Sequence, residues 1–218
     1  MNYTVIIDTE TTGLVNAKAC EIAWLVIDES YNILDQQVHL TDPEQLIEKG
    51  AYAIHGISND NVKGWPANST ICKLIPRPLV WIGHNAVYDQ RVLGSHLEWS
   101  ADLCTLALAR RYIPYGTTNH KLPTLQKELK LTAHVSHRAL GDVLTTLELL
   151  KLISQLSCKS LPELLELESK PKMIQKMPFG MYKGYNFAEI PKPYRQWMMS
   201  QAEWPKDIAY TLERLRLV

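Results

Sequence analysis

Three short segments that lie far apart in the chain place acidic side chains in otherwise apolar, regularly patterned surroundings. The acids are Asp8 and Glu10 in VIIDTETTGL, Asp89 in HNAVYD, and Asp142 in HRALGD, a segment that also contains His137. A carboxylate in an apolar setting is unfavourable unless it is paired or bound to a cation. The chain must therefore either expose these acids separately or fold so that they share one polar site.

The apolar pattern indicates where strands and helices form. Residues 3–8, 21–28 and 32–40 have the composition or alternation of strands, and the short turns between them favour an antiparallel meander. The apolar run 79–83 is interpreted as a buried strand. Helices are predicted over residues 46–56, 68–75, 86–97, 102–112, 123–130, 138–156, 161–168 and 205–217. Strands followed by alternating strands and helices predict an α/β domain with a mixed sheet.

The length of 218 residues suits one substantial domain with a small appendage. A change in composition near residue 157 predicts two domains, 1–157 and 158–218. Hydrophobic residues make up 46% and charged residues 21%, and no apolar run reaches the ~18 residues of a membrane span. The N-terminal segment MNYTVIID does not have the pattern of a signal peptide. Together these features predict a cytoplasmic protein without membrane contact. The four widely spaced cysteines favour reduced thiols.

The first acidic segment follows a buried strand. Asp8 and Glu10 are two residues apart, so both carboxylates project to one face of the strand. Like charges held together in such a setting repel each other and favour a bound cation, although an exposed acidic strand end is the alternative. Gly13 then permits a tight turn, and Leu14 either packs into the core or projects beside the acidic site.

The other two segments lie where helices begin. Asp89 falls in the first turns of the helix over 86–97, where it either joins the site or only interacts with the helix dipole. Asn85 suits a cap or a loop brace better than a metal ligand. Because His137 and Asp142 are five residues apart, they diverge on an ideal helix. We therefore expect His137 on the entering loop and Asp142 on the inward face of the helix, while a lone histidine is also a common surface or core residue.

Taken together, DTETTGL, HNAVYD and HRALGD resemble the three motifs of the DnaQ-like, or DEDDh, 3′–5′ exonucleases. The resemblance covers about residues 3–155, and the H-x4-D spacing is that of the histidine subclass. It implies a ribonuclease H-like mixed β-sheet flanked by helices. It also implies catalytic roles for five residues: Asp8, Glu10, Asp89, His137 and Asp142.

The same resemblance implies a reaction and its cofactor. Asp8, Glu10, Asp89 and Asp142 are the expected ligands of two Mg²⁺ ions, which Mn²⁺ can replace, and His137 is the expected base. The expected substrate is a single- or double-stranded DNA 3′ end, which is cut to 5′-mononucleotides. Substrate contacts are expected from Thr11, Thr12, Gly13, Leu14, His55 and Asn85, although a structural role for His55 is equally compatible with the sequence.

The segments FGMYKGYNFAEIP and YRQWMM, which lie within residues 158–218, resemble the small C-terminal module of the exodeoxyribonuclease X branch of this family. Between residues 170 and 195, lysines and arginines alternate with aromatic residues, namely Phe179, Tyr182, Tyr185, Phe187 and Tyr194. Cations contact phosphates and aromatic rings stack on bases, so the pattern favours an auxiliary nucleic-acid surface. A small aromatic core with solvated lysines is the alternative.

Several rival functions remain compatible with the motifs. They are an RNA 3′–5′ exonuclease of the same fold, a polymerase proofreading subunit, and a nucleic-acid-binding protein that has lost catalysis. The choice between DNA and RNA depends on tolerance of the 2′-hydroxyl, which the residues do not reveal. The presence of all five motif residues argues against the catalytically silent protein. The resemblance also leads us to expect a homodimer, for which the sequence has no interface signature.

Overall fold

The computed structural model describes residues 3–77, 79–113, 116–132, 134–171, 173–178, 180–200 and 206–217. The chain divides into two compact units, one ending at Glu168 and the other beginning at Ser169. This division comes later than the boundary expected near residue 157. The reason is that the helix Leu161–Ser169 packs Leu161 and Leu164 into the core of the first unit.

A mixed five-stranded sheet forms the centre of the first unit. Its strands are β1 (Tyr3–Thr11), β2 (Ala19–Ile27), β3 (Ile33–Leu40), β4 (Leu79–Gly83) and β5 (Trp99–Cys104), in the spatial order β3-β2-β1-β4-β5. β1, β2 and β3 pair antiparallel, while β4 runs parallel to β1 and β5 runs parallel to β4. The carboxyl ends of β1, β4 and β5 therefore meet at one edge. The predicted α/β fold with a mixed sheet is confirmed.

Helices flank this sheet. In the first unit they are α1 (Lys49–His55), α2 (Asn59–Val62), α3 (Asn68–Ile71), α4 (Val87–Leu93), α5 (Thr105–Tyr112), α6 (Leu122–Glu128), α7 (Ala139–Ser157) and α8 (Leu161–Ser169). A 3₁₀ turn over Cys72–Leu74 continues α3, so the helix expected over 68–75 has two parts. Within the residues that the structure describes, no helix has both the length and the apolar character needed to cross a membrane.

Successive side chains of β1 project to opposite faces of the sheet, and this determines which helices each of them contacts. Val5 and Ile7 join the core on the side of the sheet that is covered by α3 and α4. Ile6 joins the opposite core, which contains side chains of α5, α6, α7 and α8. Asp8 and Glu10 continue the even-numbered series of Ile6. The alternation that buries Ile6 therefore also directs both carboxylates to the side of α7.

The structure corrects one predicted element in particular. The helix expected over 102–112 begins only at Thr105, because Trp99–Cys104 forms the edge strand β5. In β5, Asp102, Leu103 and Cys104 are in register with residues of the buried strand β4. Backbone pairing to the sheet outweighs the weak helical periodicity of so short a segment. The helix expected over 86–97 is also shorter, since α4 ends at Leu93.

The second unit is small and mainly helical. It contains a 3₁₀ turn over Phe187–Glu189, α9 (Lys192–Ser200) and α10 (Lys206–Arg214). Its apolar core is formed by Met177, Phe187, Ile190, Met198, Ile208 and Leu212. Tyr182 contacts the ring of Tyr194 with centroids 4.8 Å apart. These contacts account for much of the aromatic pattern by packing; Phe179 lies outside the described residues, and the nucleic-acid surface stays a prediction.

Candidate active site

Three carboxylates converge at the carboxyl end of β1. One oxygen from each of Asp8, Glu10 and Asp142 can be chosen so that all three lie within 4.8 Å of one another. β1 supplies the first two from one face, and the first turn of α7 supplies the third. Several carboxylate oxygens within mutual reach are the donor set that hard divalent cations prefer. The acidic cluster is therefore suited to hold a divalent metal ion.

Asp89 approaches the cluster from the opposite layer. It lies in the first turn of α4 and is only 4% exposed. Its Oδ1 accepts hydrogen bonds from the backbone nitrogen of Thr9 at 3.1 Å and from Thr9 Oγ1 at 2.7 Å. Thr9 stands between Asp8 and Glu10 in β1, so these bonds fix the carboxylate of Asp89 beside the other acids.

Burial makes all four acids hard to ionise. Desolvation, reinforced by the charges of Asp89, Asp142 and Glu10, raises the pKa of Asp8 well above its usual range. Desolvation also raises the pKa of Glu10 to about 8, with further contributions from Asp142 and Glu21. Burial likewise raises the pKa of Asp89 to about 7 and that of Asp142 to about 6. A bound cation would relieve the repulsion between these carboxylates. Strongly raised pKa values in a group of neighbouring acids are typical of functional sites.

His137 lies on the loop that enters α7, and Asp142 lies in the first turn of the helix. The backbone of His137 adopts a positive φ of 60°, which is uncommon for a residue with a side chain. Its backbone nitrogen donates a hydrogen bond to Oδ2 of Asp142 at 3.1 Å. His137 is exposed, and its side chain is close enough to Asp142 for an electrostatic interaction. Its catalytic role stays a prediction.

Sequence reasoning missed an ion pair between the buried Glu21 and the half-exposed Arg138 that supports this loop. Glu21 stands opposite Glu10 in the register of β1 and β2 and is 1% exposed. Its carboxylate accepts hydrogen bonds from Arg138 Nε at 3.1 Å and Nη2 at 2.5 Å, and from the backbone nitrogen of Ala139 at 2.9 Å. Glu21 therefore caps α7 and anchors the residue next to His137. The acid at the start of the apolar segment EIAWLVID was the available signal, but its partner Arg138 could not be predicted from the sequence.

A second missed residue is Gly141 in HRALGD. A Cβ atom at this position would lie 1.9 Å from the backbone oxygen of Val135. The backbone of the loop before α7 therefore packs directly on the helix at a place where no side chain fits. His137 lies between these two residues in sequence, so this contact also helps to define where the loop runs.

The predicted substrate-binding residues after β1 are themselves tied together. Gly13 accepts hydrogen bonds at its carbonyl from Thr11 Oγ1 at 2.9 Å and from the hydroxyl of Tyr88 at 2.7 Å. Oγ1 of Thr12, a residue that is 1% exposed, accepts from the backbone nitrogen of Lys18 at 3.2 Å. These bonds shape the segment, and direct contact with a nucleotide stays a prediction.

His55 is held by both ring nitrogens. Nδ1 accepts from the backbone nitrogen of Ile57 at 3.0 Å, and Nε2 lies 3.1 Å from the carbonyl oxygen of Thr11. Because a carbonyl only accepts, Nε2 carries the proton in this arrangement. The ring is 7% exposed and thus supports the backbone beside the acidic cluster.

Two other predicted substrate contacts are exposed. Leu14 is 81% exposed, which excludes the alternative that it packs into the core of this chain. Asn85 is exposed and adopts a positive φ of 67° in the turn between β4 and α4. Its carbonyl accepts from the backbone nitrogen of Tyr88, so Asn85 braces the turn through its backbone. Both side chains are accessible to a ligand.

The mixed sheet and the acidic cluster at its carboxyl edge define a hydrolase of the ribonuclease H-like class with a site suited to divalent metal. The chain belongs to the exonuclease family, whose model, described as Exonuclease, matches residues 5–150. Enzymes of this family depend on divalent metal ions. A second family model, described as a quorum-sensing-regulated virulence factor, matches residues 169–212 in the second compact unit.

Individual relatives agree with this assignment. Exodeoxyribonuclease 10 of Escherichia coli (strain K12) is 31% identical over 208 residues, which cover 91% of each chain. The solved structure of Exonuclease X in complex with 5′ overhanging duplex DNA has a TM-score of 0.65 and 29% identity, and covers 75% of this chain and 98% of that one. The resemblance to the DEDDh exonucleases, and to exodeoxyribonuclease X in particular, is confirmed.

Two further similarities are more limited. The PolC-type DNA polymerase III of Lacticaseibacillus paracasei is 30% identical over 154 residues, which cover 65% of this chain but 10% of that protein. A solved structure of exonuclease I has a TM-score of 0.62 at 18% identity, covers 77% of this chain and 43% of that one, and shows the fold alone.

Proposed function

We propose that this protein is a 3′–5′ exodeoxyribonuclease that releases 5′-mononucleotides from DNA 3′ ends and acts in DNA repair. The observation that carries the proposal is the convergence of Asp8, Glu10 and Asp142, with Asp89 beside them, at one edge of the sheet. DNA as the substrate is supported by the name of the relative Exodeoxyribonuclease 10 and by the Exonuclease X structure that contains duplex DNA.

The donor set fits two Mg²⁺ ions, with Mn²⁺ as a substitute, because every proposed ligand is a carboxylate. Asp8 would be a ligand of both ions, Glu10 and Asp142 would complete the ligands of one, and Asp89 would act on the other. When bound, the ions stabilise negative charge on the attacking and leaving oxygens of the phosphodiester. His137 takes the proton from the attacking water, and its exposed position beside Asp142 suits that task.

Residues around the cluster then receive the end of the strand. The exposed Leu14 contacts the terminal base or sugar, and the backbone of the Thr11–Gly13 segment lines the same place. Asn85 offers an amide on the neighbouring turn, while His55 acts through Thr11 by holding its carbonyl. A cytoplasmic location and a homodimer belong to the same proposal. The cytoplasm is where bacteria such as the sequence relatives keep their DNA.

The experiment uses matched single-stranded and duplex DNA oligonucleotides, and an RNA of the same sequence, each labelled at its 5′ end. With Mg²⁺, we expect DNA to shorten stepwise from the 3′ end with release of 5′-mononucleotides, and a chelator to stop the reaction. Digestion from the 5′ end or unchanged rates after chelation would contradict the proposal. Faster digestion of RNA would assign the protein to the RNA-directed exonucleases, and binding without turnover would favour the catalytically silent alternative.

A further inference from the structure

A pocket with both polar and apolar walls lies at the same edge of the sheet as the acidic cluster. Its volume is about 600 Å³, which falls in the range of natural small-ligand sites. The turn between β4 and α4, helix α5, and the segment that leads into α6 form its walls. None of the proposed catalytic or metal-binding residues lines it.

The position of the pocket follows from the topology of the sheet. His84 and Asn85 directly follow Gly83 at the end of β4, and α5 begins directly after β5. These are the carboxyl ends of strands parallel to β1, and β4 is the neighbour of β1. Because adjacent strands are about 4.8 Å apart, one or two strand spacings separate this edge from the end of β1. A strand whose 3′ end lies at the acidic cluster can therefore reach the pocket with its next phosphates.

The lining of the pocket combines cations, amides and an apolar patch. Arg110 in the last turn of α5 and Lys121 just before α6 are both exposed, and none of the described lining residues carries a carboxylate. Among the ion pairs found in the described part of the chain, none uses either cation. The neighbouring Arg111 instead stacks on the ring of Tyr112. Two cations that are available to a ligand favour an anion such as a phosphate.

Side-chain hydrogen bonds preorganise this pocket. His84 Nε2 lies 2.9 Å from the carbonyl oxygen of His120, and His84 Nδ1 lies 3.0 Å from Thr105 Oγ1. His120 Nε2 in turn lies 2.8 Å from the carbonyl oxygen of Ile113. The three contacts join the turn after β4, the beginning of α5 and the segment before α6. The cations therefore stand on a wall that is already fixed before a ligand binds.

We propose that this pocket binds a backbone phosphate of the substrate strand, away from the bond that is cut, through Arg110 and Lys121. The buried Leu122 and the partly buried Leu106 supply an apolar surface for the attached sugar or base. The inference rests on the proposed exonuclease function and adds a strand-binding subsite to it. Arg110 and Lys121 then govern affinity for the strand, whereas the acidic cluster governs bond cleavage.

The test compares two double variants that lose the same charge. Arg110→Ala/Lys121→Ala removes the cations of the pocket. Lys73→Ala/Lys151→Ala removes two exposed cations elsewhere, one in the 3₁₀ turn before β4 and one far along α7. Each protein is assayed on a short single-stranded DNA and on thymidine 5′-(4-nitrophenyl) phosphate, which holds a single phosphodiester and cannot reach the pocket with a second phosphate.

For the pocket variant we expect KM on the DNA strand to rise about tenfold or more, with kcat almost unchanged. Hydrolysis of the nitrophenyl ester should match that of the unaltered protein. The slope of log KM against log salt concentration should fall by about 0.7 for each lost phosphate contact. The control variant should keep the original KM. An equal rise in both double variants, or an equal loss on the nitrophenyl ester, would overturn the proposal.

Free mononucleotide is the other possible source of a phosphate. If the pocket bound the released product instead, the pocket variant would lose inhibition by added 5′-mononucleotide and keep its KM for the strand, which would also overturn the proposal. Failure of the exonuclease function is detected separately, because the unaltered protein would then digest neither substrate. In that case fluorescence anisotropy with a labelled strand and a chelator still tests the pocket, and the pocket variant should bind more weakly than the control.

Discussion

The candidate active site positions its predicted catalytic groups in two different ways. Asp8 and Glu10 belong to β1, where Ala23 and Glu21 of β2 stand opposite them in the strand register. His137 and Asp142 instead lie before and within the first turn of α7, outside the sheet. The first pair is thus fixed by backbone pairing, whereas the position of the second pair depends on contacts between side chains and loop backbone.

This difference indicates which substitutions should change only the chemistry of the site and which should change its geometry. A residue in a paired strand moves only if the sheet moves, so a substitution at Asp8 changes chemistry more than geometry. The loop that carries His137 is held by the Glu21–Arg138 ion pair and by the close approach of Gly141 to Val135. Substitutions at these contacts should change the geometry of the site while all predicted catalytic groups remain present.

The largest effect is expected from the two acids in β1, Asp8 and Glu10. Asp8→Asn removes a charge from the centre of the cluster and should lower kcat by about 10³-fold or more, since metal ions supply several kcal/mol of transition-state stabilisation. His137→Gln should lower kcat by roughly 10²-fold, the usual effect of losing a general base. The measurement is Mg²⁺-dependent digestion of a DNA strand with thermal unfolding as the control for folding. A smaller loss in Asp8→Asn than in His137→Gln would reverse the comparison.

An intermediate effect is expected where the loop is anchored to the sheet. Glu21→Gln keeps the shape of the side chain but removes the charge that Arg138 and the backbone of Ala139 share. We expect kcat to fall about 10-fold to 100-fold with little change in KM, as for groups that orient a metal site from outside. The exposed acid Glu29 provides the control variant Glu29→Gln, which should be neutral.

A double-mutant cycle separates positioning from a general loss of charge. If the ion pair acts as a unit, Arg138→Gln should cause a similar loss, and the double variant should be hardly worse than either single variant. Additive losses would mean that Glu21 and Arg138 act independently, and the proposed anchoring of the loop would then be wrong.

The same contrast explains how much the sequence could predict. Alternation in YTVIID revealed that Asp8 and Glu10 share a face, and the apolar run LVWIG revealed β4. The partnership of Glu21 with Arg138 spans 117 positions, and nothing local in either segment specifies it. Likewise β5 escaped prediction because its strand character comes from pairing with β4. Local periodicity predicts helices and strands, but contacts between residues far apart in the sequence determine which side chains hold the site in place.

A smaller effect should follow from filling the contact between the loop and α7. Gly141→Ala places a methyl group where the backbone oxygen of Val135 lies, so the loop must shift. We expect a loss of about 1–3 kcal/mol in the free energy of unfolding, together with a lower kcat. Gly50 in α1 is the matched control, because a Cβ added there would meet no atom of the described surroundings within 4 Å. Gly50→Ala should be neutral or stabilise by up to about 1 kcal/mol, and equal effects at both sites would refute the packing argument.

The smallest expected effect is a pH dependence of stability in the metal-free protein. Burial raises the pKa of Glu10 to about 8 and that of Asp8 well above its usual range, while unfolded carboxylates titrate near pH 4. Between these limits the folded state binds more protons than the unfolded state, so stability falls as pH rises. In the window from pH 6.5 to 8 this effect dominates, because His84, whose pKa burial lowers to about 4, is neutral in the folded state throughout. An unfolded histidine loses only the fraction of a proton that it still carries at pH 6.5, which opposes the effect slightly at the lower end of the window.

With a chelator present, the melting temperature should therefore fall by roughly a few degrees from pH 6.5 to 8. Asp8→Asn should reduce the slope, since the asparagine carries no charge and no longer repels Glu10. Added Mg²⁺ or Mn²⁺ should raise the melting temperature more at pH 8 than at pH 6.5, because a cation binds the ionised carboxylates. If Asp8→Asn left the change of melting temperature with pH unaltered, the titrating groups would lie elsewhere in the protein. The electrostatic argument that places Asp8 and Glu10 at the centre of the site would then be wrong.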